Sequence, residues 1–534
     1  MTISSFGRYA RVGKSMLYLS LAIATYAQPK VLASPLVRVE SGTLRGQTLA
    51  KGGAFFLGIP YAAAPTGELR WRDPRPAPHW SGARDATHYG SACMQPAAGW
   101  NDSLIPTASE DCLFLNIWTP KLDSSARLPV MVWIHGGGFT GGGANDSLFA
   151  GEHFAAKNVV LVTLNYRLGL FGFLALPDLS KSSDHKVSGN YGLLDQHAAL
   201  RWVHENIANF GGDPGAITVF GQSAGGGSVL ALLASPLTHD FLRSAIVESG
   251  SLITTSGMMR LQDAEAQGLR FAGTLSLIEL RSQPATELMH RWQDLASTTR
   301  GMKLGPIVDG YVLTDDPVTV FAQHKEHPVA LIVGNNAREG FGMVRDADLP
   351  QVIRDFYGEA APAALDLYST GPGKSLPVDP VLGSPAAQWL TDSSLRCSAV
   401  IMAARHQAAK APVYSYQFEQ PLPGRENQGA AHSYELPYVF GNLLDKGPLG
   451  APFSSTDRAL SDLMMTYWTN FARHGDPNGP GIPHWPRFTN ETRAYMRLST
   501  ALQGNAAAGQ GLRQAACQLF ENRVTHASLG ESEK

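Results

Sequence analysis

The stretch Ala216 to Ser228, reading AITVFGQSAGGGS, constrains this chain more tightly than any other. Ile217 to Phe220 is a β-branched and aromatic run that stops abruptly at Gly221-Gln222-Ser223-Ala224-Gly225. Small residues then lead into the apolar, helix-compatible Val229 to Leu233. The pattern predicts a strand, a sharp turn with a serine at its apex, and a helix. Glycines two positions either side of Ser223 suit so tight a turn, because a Cβ there would collide with the neighbouring strand and helix. Ser223 would then project its hydroxyl from the top of a sheet, with a helix N-terminus placed to favour developing negative charge. Glycine and serine are common, so these five residues alone read equally well as an ordinary glycine-rich turn.

The rest of the chain must therefore decide. With 534 residues, 44% hydrophobic and 16% charged, the chain can bury a large core and is neither disordered nor fibrous. No Pro/Ser linker, charge block or internal repeat divides it, which favours one large catalytic domain over residues 34–534 with long insertions. A formal charge of -2 and the lack of a basic stripe argue against nucleic acid as a partner. Arg8, Arg11 and Lys14 precede an apolar run from Met16 to Ala27, with small residues at Thr25, Ala27 and Ala33. This reads as a signal peptide over residues 1–33, cleaved near Ala27 or Ala33. The run is short for a membrane anchor, so a secreted or periplasmic protein without a stable anchor is expected.

Cysteine usage agrees with export. Cys93, Cys112, Cys397 and Cys517 fall into two sequence neighbourhoods, making Cys93 with Cys112 and Cys397 with Cys517 the natural pairing. Four cysteines allow three connectivities, and spacing does not choose among them. None has zinc-ligand spacing, so no metal is expected.

Several further segments stand out in chain order. They include Phe55-Phe56-Leu57-Gly58-Ile59-Pro60-Tyr61-Ala62, Gly67-Glu68-Leu69-Arg70-Trp71, and Ser109-Glu110-Asp111-Cys112-Leu113-Phe114-Leu115-Asn116-Ile117. With the serine turn, these segments resemble the type-B carboxylesterase and lipase family, the cholinesterase-like α/β-hydrolases that also include the catalytically inactive neuroligins. The resemblance runs from about Val37 to about Phe520 and points to a bacterial-type exported carboxylesterase. Strands at Val130 to Ile134, Val159 to Asn165 and Ala330 to Val333 alternate with helical stretches such as Ala198 to Phe210, whose Leu200, Val203 and Ile207 share a face. Gly211-Gly212-Asp213-Pro214 ends that helix. Such alternation implies an α/β fold with a mostly parallel sheet flanked by helices; the resemblance implies the α/β-hydrolase arrangement with lid and wall insertions.

His135-Gly136-Gly137-Gly138-Phe139 follows a buried strand, where a glycine run lets backbone N–H groups turn inward. The resemblance implies an oxyanion hole from Gly137, Gly138 and Ala224, each donor contributing about 3 kcal/mol to the transition state. A serine hydroxyl needs a base, and the base an orienting acid, in the chain order nucleophile, acid, histidine. Glu339, in Gly334-Asn335-Asn336-Ala337-Arg338-Glu339-Gly340, matches the family's acid segment. Glu326 and Asp346 lack that strand-end context. His432, in Gly429-Ala430-Ala431-His432-Ser433-Tyr434-Glu435, matches the histidine loop, while Glu435 sits too close in sequence to orient the ring from behind. Ser249 matches a serine lying beside the triad and is assigned a supporting role, as is Gln222. Arg70 and Glu110 match a structural ion pair.

Departures from the family narrow the substrate. Gln222 stands where cholinesterases carry glutamate, and Gly342 and Met343 where they carry gorge aromatics. Trp100 lies near their choline-binding tryptophan, but in a shorter loop, and reads as a wall residue. A cation–π cage for quaternary ammonium is not expected. The resulting expectation is a serine hydrolase that cleaves small or bulky carboxylic esters through an acyl-enzyme, without cofactor. The alternatives are a lipase or amidase using the same three residues, and a non-catalytic binding scaffold of the neuroligin kind. Oligomeric state is not legible, and sequons at Asn101, Asn145 and Asn490 matter only in a glycosylating host.

Overall fold

Val160-Leu161-Val162-Thr163-Leu164 is buried at every position, as are five consecutive residues of Leu128–Ile134. A strand without polar alternation belongs in a sheet covered on both faces, where each buried Val, Leu or Ile contributes about 2 kcal/mol. Such a sheet dominates the computed structural model of the chain, which describes residues 34–528 apart from 239, 254–256, 299–300, 341–343, 369, 371–377 and 444–450. The expected signal peptide and the positions Gly342 and Met343 lie outside the described residues. Among those described, no helix is long and apolar enough to cross a membrane.

The sheet has 11 strands. Its parallel centre runs in the spatial order Val160–Leu164, Leu128–Ile134, Gly212–Gln222, Ser244–Glu248, Ala330–Asn336, Val413–Phe418 and Tyr495–Leu498. Antiparallel strands finish both edges: Phe114–Thr119, Ala54–Pro60 and Gln47–Thr48 on one side, Ala506–Gly509 on the other. A separate three-stranded sheet gathers Leu36–Val39, Gly42–Arg45 and Ala83–Asp85. Parallel pairing at the centre places the carboxyl ends of those strands, with their loops, along one edge.

The helix predicted over 198–210 begins earlier, at Tyr191, and runs to Asn206 before a short 3-10 turn over Ile207–Phe210. Its first turn packs so closely that a Cβ on Gly192 would lie 2.6 Å from the Arg167 carbonyl oxygen. That tertiary contact explains why the start is invisible to periodicity. Gly211 ends the element in the left-handed region, with φ 84°, as its position after the last helical residue suggests.

The insertions carry cores of their own. Helices Leu261–Ala272, Leu277–Ser282 and Ala285–Ala296 lie in the chain between Ser244–Glu248 and Ala330–Asn336. Their apolar faces bury Phe271, Leu280, Leu288 and Trp292 against Leu170 and Phe171. Helices Leu349–Tyr357, Ala361–Leu367 and Pro385–Thr391 precede Val413–Phe418 and enclose Ile353, Tyr357 and Trp389.

Both expected disulfides are formed, Cys93 with Cys112 and Cys397 with Cys517. Arg70 and Glu110 pair through two contacts of 2.6 Å. Arg70 also donates to the carbonyls of Leu280, Arg281 and Gln283, tying the first insertion to the N-terminal part of the chain. A second buried pair, unforeseen from the sequence, joins Arg167 to Asp195 through contacts of 2.7 Å. The two residues lie 28 positions apart, on either side of the helix Pro177–Ser182, and only folding brings them together.

Candidate active site

Strand Gly212–Gln222 turns into helix Ala224–Ala234 through Ser223 alone, at φ 57° and ψ −123°. A non-glycine residue held there is strained and persists only where its surroundings dictate it. Here they do: a Cβ on Gly225 would lie 2.0 Å from the Ile134 carbonyl oxygen, so helix and strand approach as closely as glycine permits. The Ser223 N–H donates to the Glu248 carbonyl at 2.9 Å. Its hydroxyl makes no hydrogen bond to any described residue and lines a cavity of about 690 Å³.

The glycine loop forms another wall of this cavity. Gly137, Gly138 and Phe139 take φ values of 109°, 63° and 61°, and a Cβ on Gly137 would strike the Gly141 carbonyl oxygen at 2.2 Å. The N–H groups of Gly137, Gly138 and Ala224 donate to no described residue. Three unspent donors bordering one serine form an anion-binding concavity.

Gln95, which sequence reasoning missed, braces that loop. Its side chain exchanges two hydrogen bonds of 2.8 Å with the backbone of Gly142 and accepts a third from Asn101. Because Gln95 sits inside the Cys93–Cys112 loop, the disulfide fixes the brace. In the sequence Gln95 is marked only by lying two residues after Cys93. Asn101 is 1% exposed and fully engaged with Gln95, Pro96 and Ala98, so its sequon is closed in the folded chain, whereas Asn490 is exposed.

Glu339 and His432 meet because two loops are stitched together. Arg338 N–H donates to the Ala430 carbonyl at 2.9 Å, and the Asn336 side chain to the Ala431 carbonyl at 2.7 Å. His432 Nδ1 then lies 2.7 Å from Glu339 Oε2. Glu339 Oε1 accepts from the Ser249 hydroxyl and the Asn336 N–H, both at 2.6 Å. The histidine loop is anchored from below by helix Leu436–Phe440, all of it buried. Its Phe440 packs on Trp133 at 5.0 Å and on Phe220 of the serine strand at 5.9 Å.

Burial alone would lower the proton affinity of His432. The hydrogen bond and charge of Glu339, with the charge of Glu435, outweigh it and raise the imidazole above its ordinary value. Glu435 is pushed up to about 7, first by burial and then by Glu339. Behind it Glu248, held by the Trp468 indole at 2.7 Å, is raised well above the carboxylate range by burial and by Glu435. The rejected acids have other work. Glu326 pairs with His406 at 3.0 Å, and Asp346 accepts from the Ala386 N–H at 2.8 Å.

Gln222 places its amide nitrogen 3.3 Å from His432 Nε2 and 3.0 Å from Ser433 Oγ. Ser223 and His432 line the same cavity but make no hydrogen bond with each other. Trp100 lies against the glycine loop, where a Cβ on Gly137 would come within 2.9 Å of its ring, and lines the cavity together with Leu104, Leu148, Phe149 and Leu436.

The strand order, the strained serine turn and the loops at the strand ends together define an α/β-hydrolase. The profile of the carboxylesterase family matches residues 33–362 and 380–520, and the chain belongs to that family. It is 38% identical over 448 residues to the fumonisin B1 esterase of Sphingopyxis macrogoltabida, covering 81% of each chain. To liver carboxylesterase 1F of Rattus norvegicus it is 35% identical, covering 92% of this chain and 94% of the relative. A PNB esterase structure superposes with a TM-score of 0.76 at 33% identity, covering 91% of this chain and all 100% of that one. A Geobacillus stearothermophilus carboxylesterase gives 0.77 at 34% identity, covering 91% and 99%. The protein is a carboxylic ester hydrolase.

Proposed function

We propose that Ser223 is the nucleophile of this esterase, His432 its general base and acid, Glu339 the acid that orients the ring, and Gly137, Gly138 and Ala224 the donors to the oxyanion. His432 Nε2 takes the Ser223 proton as the hydroxyl oxygen attacks the ester carbonyl. The tetrahedral oxyanion is held by the three backbone N–H groups, the alcohol leaves with the proton from His432, and water repeats the sequence to release the acid. The observation that carries this reading is the 2.7 Å contact between His432 Nδ1 and Glu339 Oε2, beside a serine at φ 57°. Ser249 supports Glu339 from the far side.

A cavity of about 690 Å³ with apolar walls is large enough for a drug-sized ligand. Together with the relative named for fumonisin B1, it supports bulky as well as small esters. The survival of all three residues counts against a binding scaffold. We further propose that residues 1–33 are a removable export signal and that residues 34–534 work as a single catalytic domain, in a secreted or periplasmic setting that two disulfides suit.

Hydrolysis of p-nitrophenyl esters from acetate to palmitate by wild type and Ser223→Ala tests the assignment. Turnover lost by roughly 10⁶-fold in the variant is expected. Equal turnover by both proteins would remove Ser223 from the mechanism. Activity rising toward palmitate would favour a lipase.

A further inference from the structure

His432 is set among acids. Glu339 touches Nδ1 at 2.7 Å, and Glu435 lies buried on its own loop, with Glu248 on the neighbouring strand behind it. Tyr416, also buried, faces Glu248, Glu435 and Glu339 from strand Val413–Phe418, and Asp146 lines the same cavity. Among the described residues, no lysine or arginine lines that cavity. The Glu339 carboxylate, and Glu435 wherever it ionises, therefore favour the imidazolium, which cannot accept the serine proton.

Against this stands one neutral donor. With its proton on Nδ1 toward Glu339, the ring presents a lone pair at Nε2, and its hydrogen-bonding contact among the described residues is the Gln222 amide nitrogen at 3.3 Å. An N–H donor meets that lone pair only when the ring is unprotonated; facing an imidazolium N–H it is repelled. The contact is longer than a standard N–H hydrogen bond, so it orients the lone pair without holding it against the serine hydroxyl. The amide is itself fixed. Gln222 is 2% exposed and donates to Ser433 Oγ at 3.0 Å, on a residue held at φ 69°.

We propose that Gln222 is a positioning residue that keeps His432 unprotonated and its Nε2 directed at the serine turn, so that the esterase works at lower pH than its acidic surroundings would otherwise allow. This rests on His432 being the base of the reaction. A carboxylate at the same position would complete a ring of acids on both ring nitrogens. The carboxamide is thus the residue type that reconciles a carboxylate-rich pocket with a neutral base.

The test is the pH dependence of kcat/KM for p-nitrophenyl butyrate, and of inactivation by phenylmethylsulfonyl fluoride, in wild type, Gln222→Met, Gln222→Glu and Ser223→Ala. Gln222→Met removes the donor at nearly constant volume, and its acid limb should move to higher pH. Gln222→Glu should move it further, by about one pH unit or more. Both readouts should shift together, because both need the neutral ring. Acid limbs that coincide with wild type, with activity lowered evenly at every pH, would reduce Gln222 to a packing residue and overturn the inference. If Ser223→Ala remained as active as wild type, the triad assignment itself would fall and this inference with it. The methionine variant introduces no buried charge, so the comparison survives if the glutamate variant does not fold.

Discussion

Glu339 Oε2 meets His432 Nδ1 at 2.7 Å across 93 residues of chain, while Glu435, on the same loop as the histidine, turns away beneath it. Glu435 instead accepts from the Asn336 side chain, and its second oxygen has no partner. The two carboxyls divide the labour: Glu339, with two further donors at 2.6 Å on its other oxygen, is held as a carboxylate acceptor, and Glu435 is a buried acid.

Glu339→Gln keeps the shape of this contact but presents an amide to Nδ1. It should lower kcat by roughly 10⁴-fold through the wrong tautomer, with an unchanged circular dichroism spectrum. A loss under tenfold would mean that another group orients the ring.

Glu435 gives a pH signature with a definite sign. Its folded value is raised from 4.5 to about 7, so the folded chain holds this proton more tightly than the unfolded chain. That contribution is present at low pH and is lost as pH climbs through about 7. Glu435→Gln should therefore gain stability relative to wild type between pH 5 and 8, on the order of 2 kcal/mol. Urea melts at both pH values check it, and a difference independent of pH would refute the assignment.

Gln95→Ala deletes the brace on the glycine loop without touching Ser223, Glu339 or His432. A loop misplaced by a fraction of an ångström should cost roughly ten- to a hundredfold in kcat, with little change in KM. An unaltered kcat would show that the loop needs no support from the Cys93–Cys112 segment.

Cys397→Ser with Cys517→Ser opens a loop closed across 120 residues. In the chain-entropy view this removes about 4 to 5 kcal/mol, which thermal inactivation should register as a clearly lower midpoint at unchanged initial activity. A midpoint equal to wild type would place the stability of the Cys397–Ala408 helix elsewhere, in its buried apolar face.

Much of the site was legible in one dimension because its chemistry is local. The serine turn needs glycines at fixed offsets, inward-facing backbone N–H groups need a glycine run after a buried strand, and each leaves that mark in consecutive residues. Glu339 and His432 were legible only through the segments around them, since a single glutamate or histidine carries no such mark. What stayed hidden were the partnerships that no motif marks: Arg167 with Asp195, Gln95 with Gly142, and the Gln222 amide with His432.

The alternation of strands and helices and the placing of glycines around Ser223 and after the strand Leu128–Ile134 follow from steric rules acting over a few residues, and the amino-acid sequence sets them unaided. Which carboxyl faces the imidazole, which is driven to about 7, and what sits at Nε2 were decided by packing. Those outcomes depend on burial and on charges brought within a few ångströms from separate loops, and neither quantity exists until the sheet has assembled.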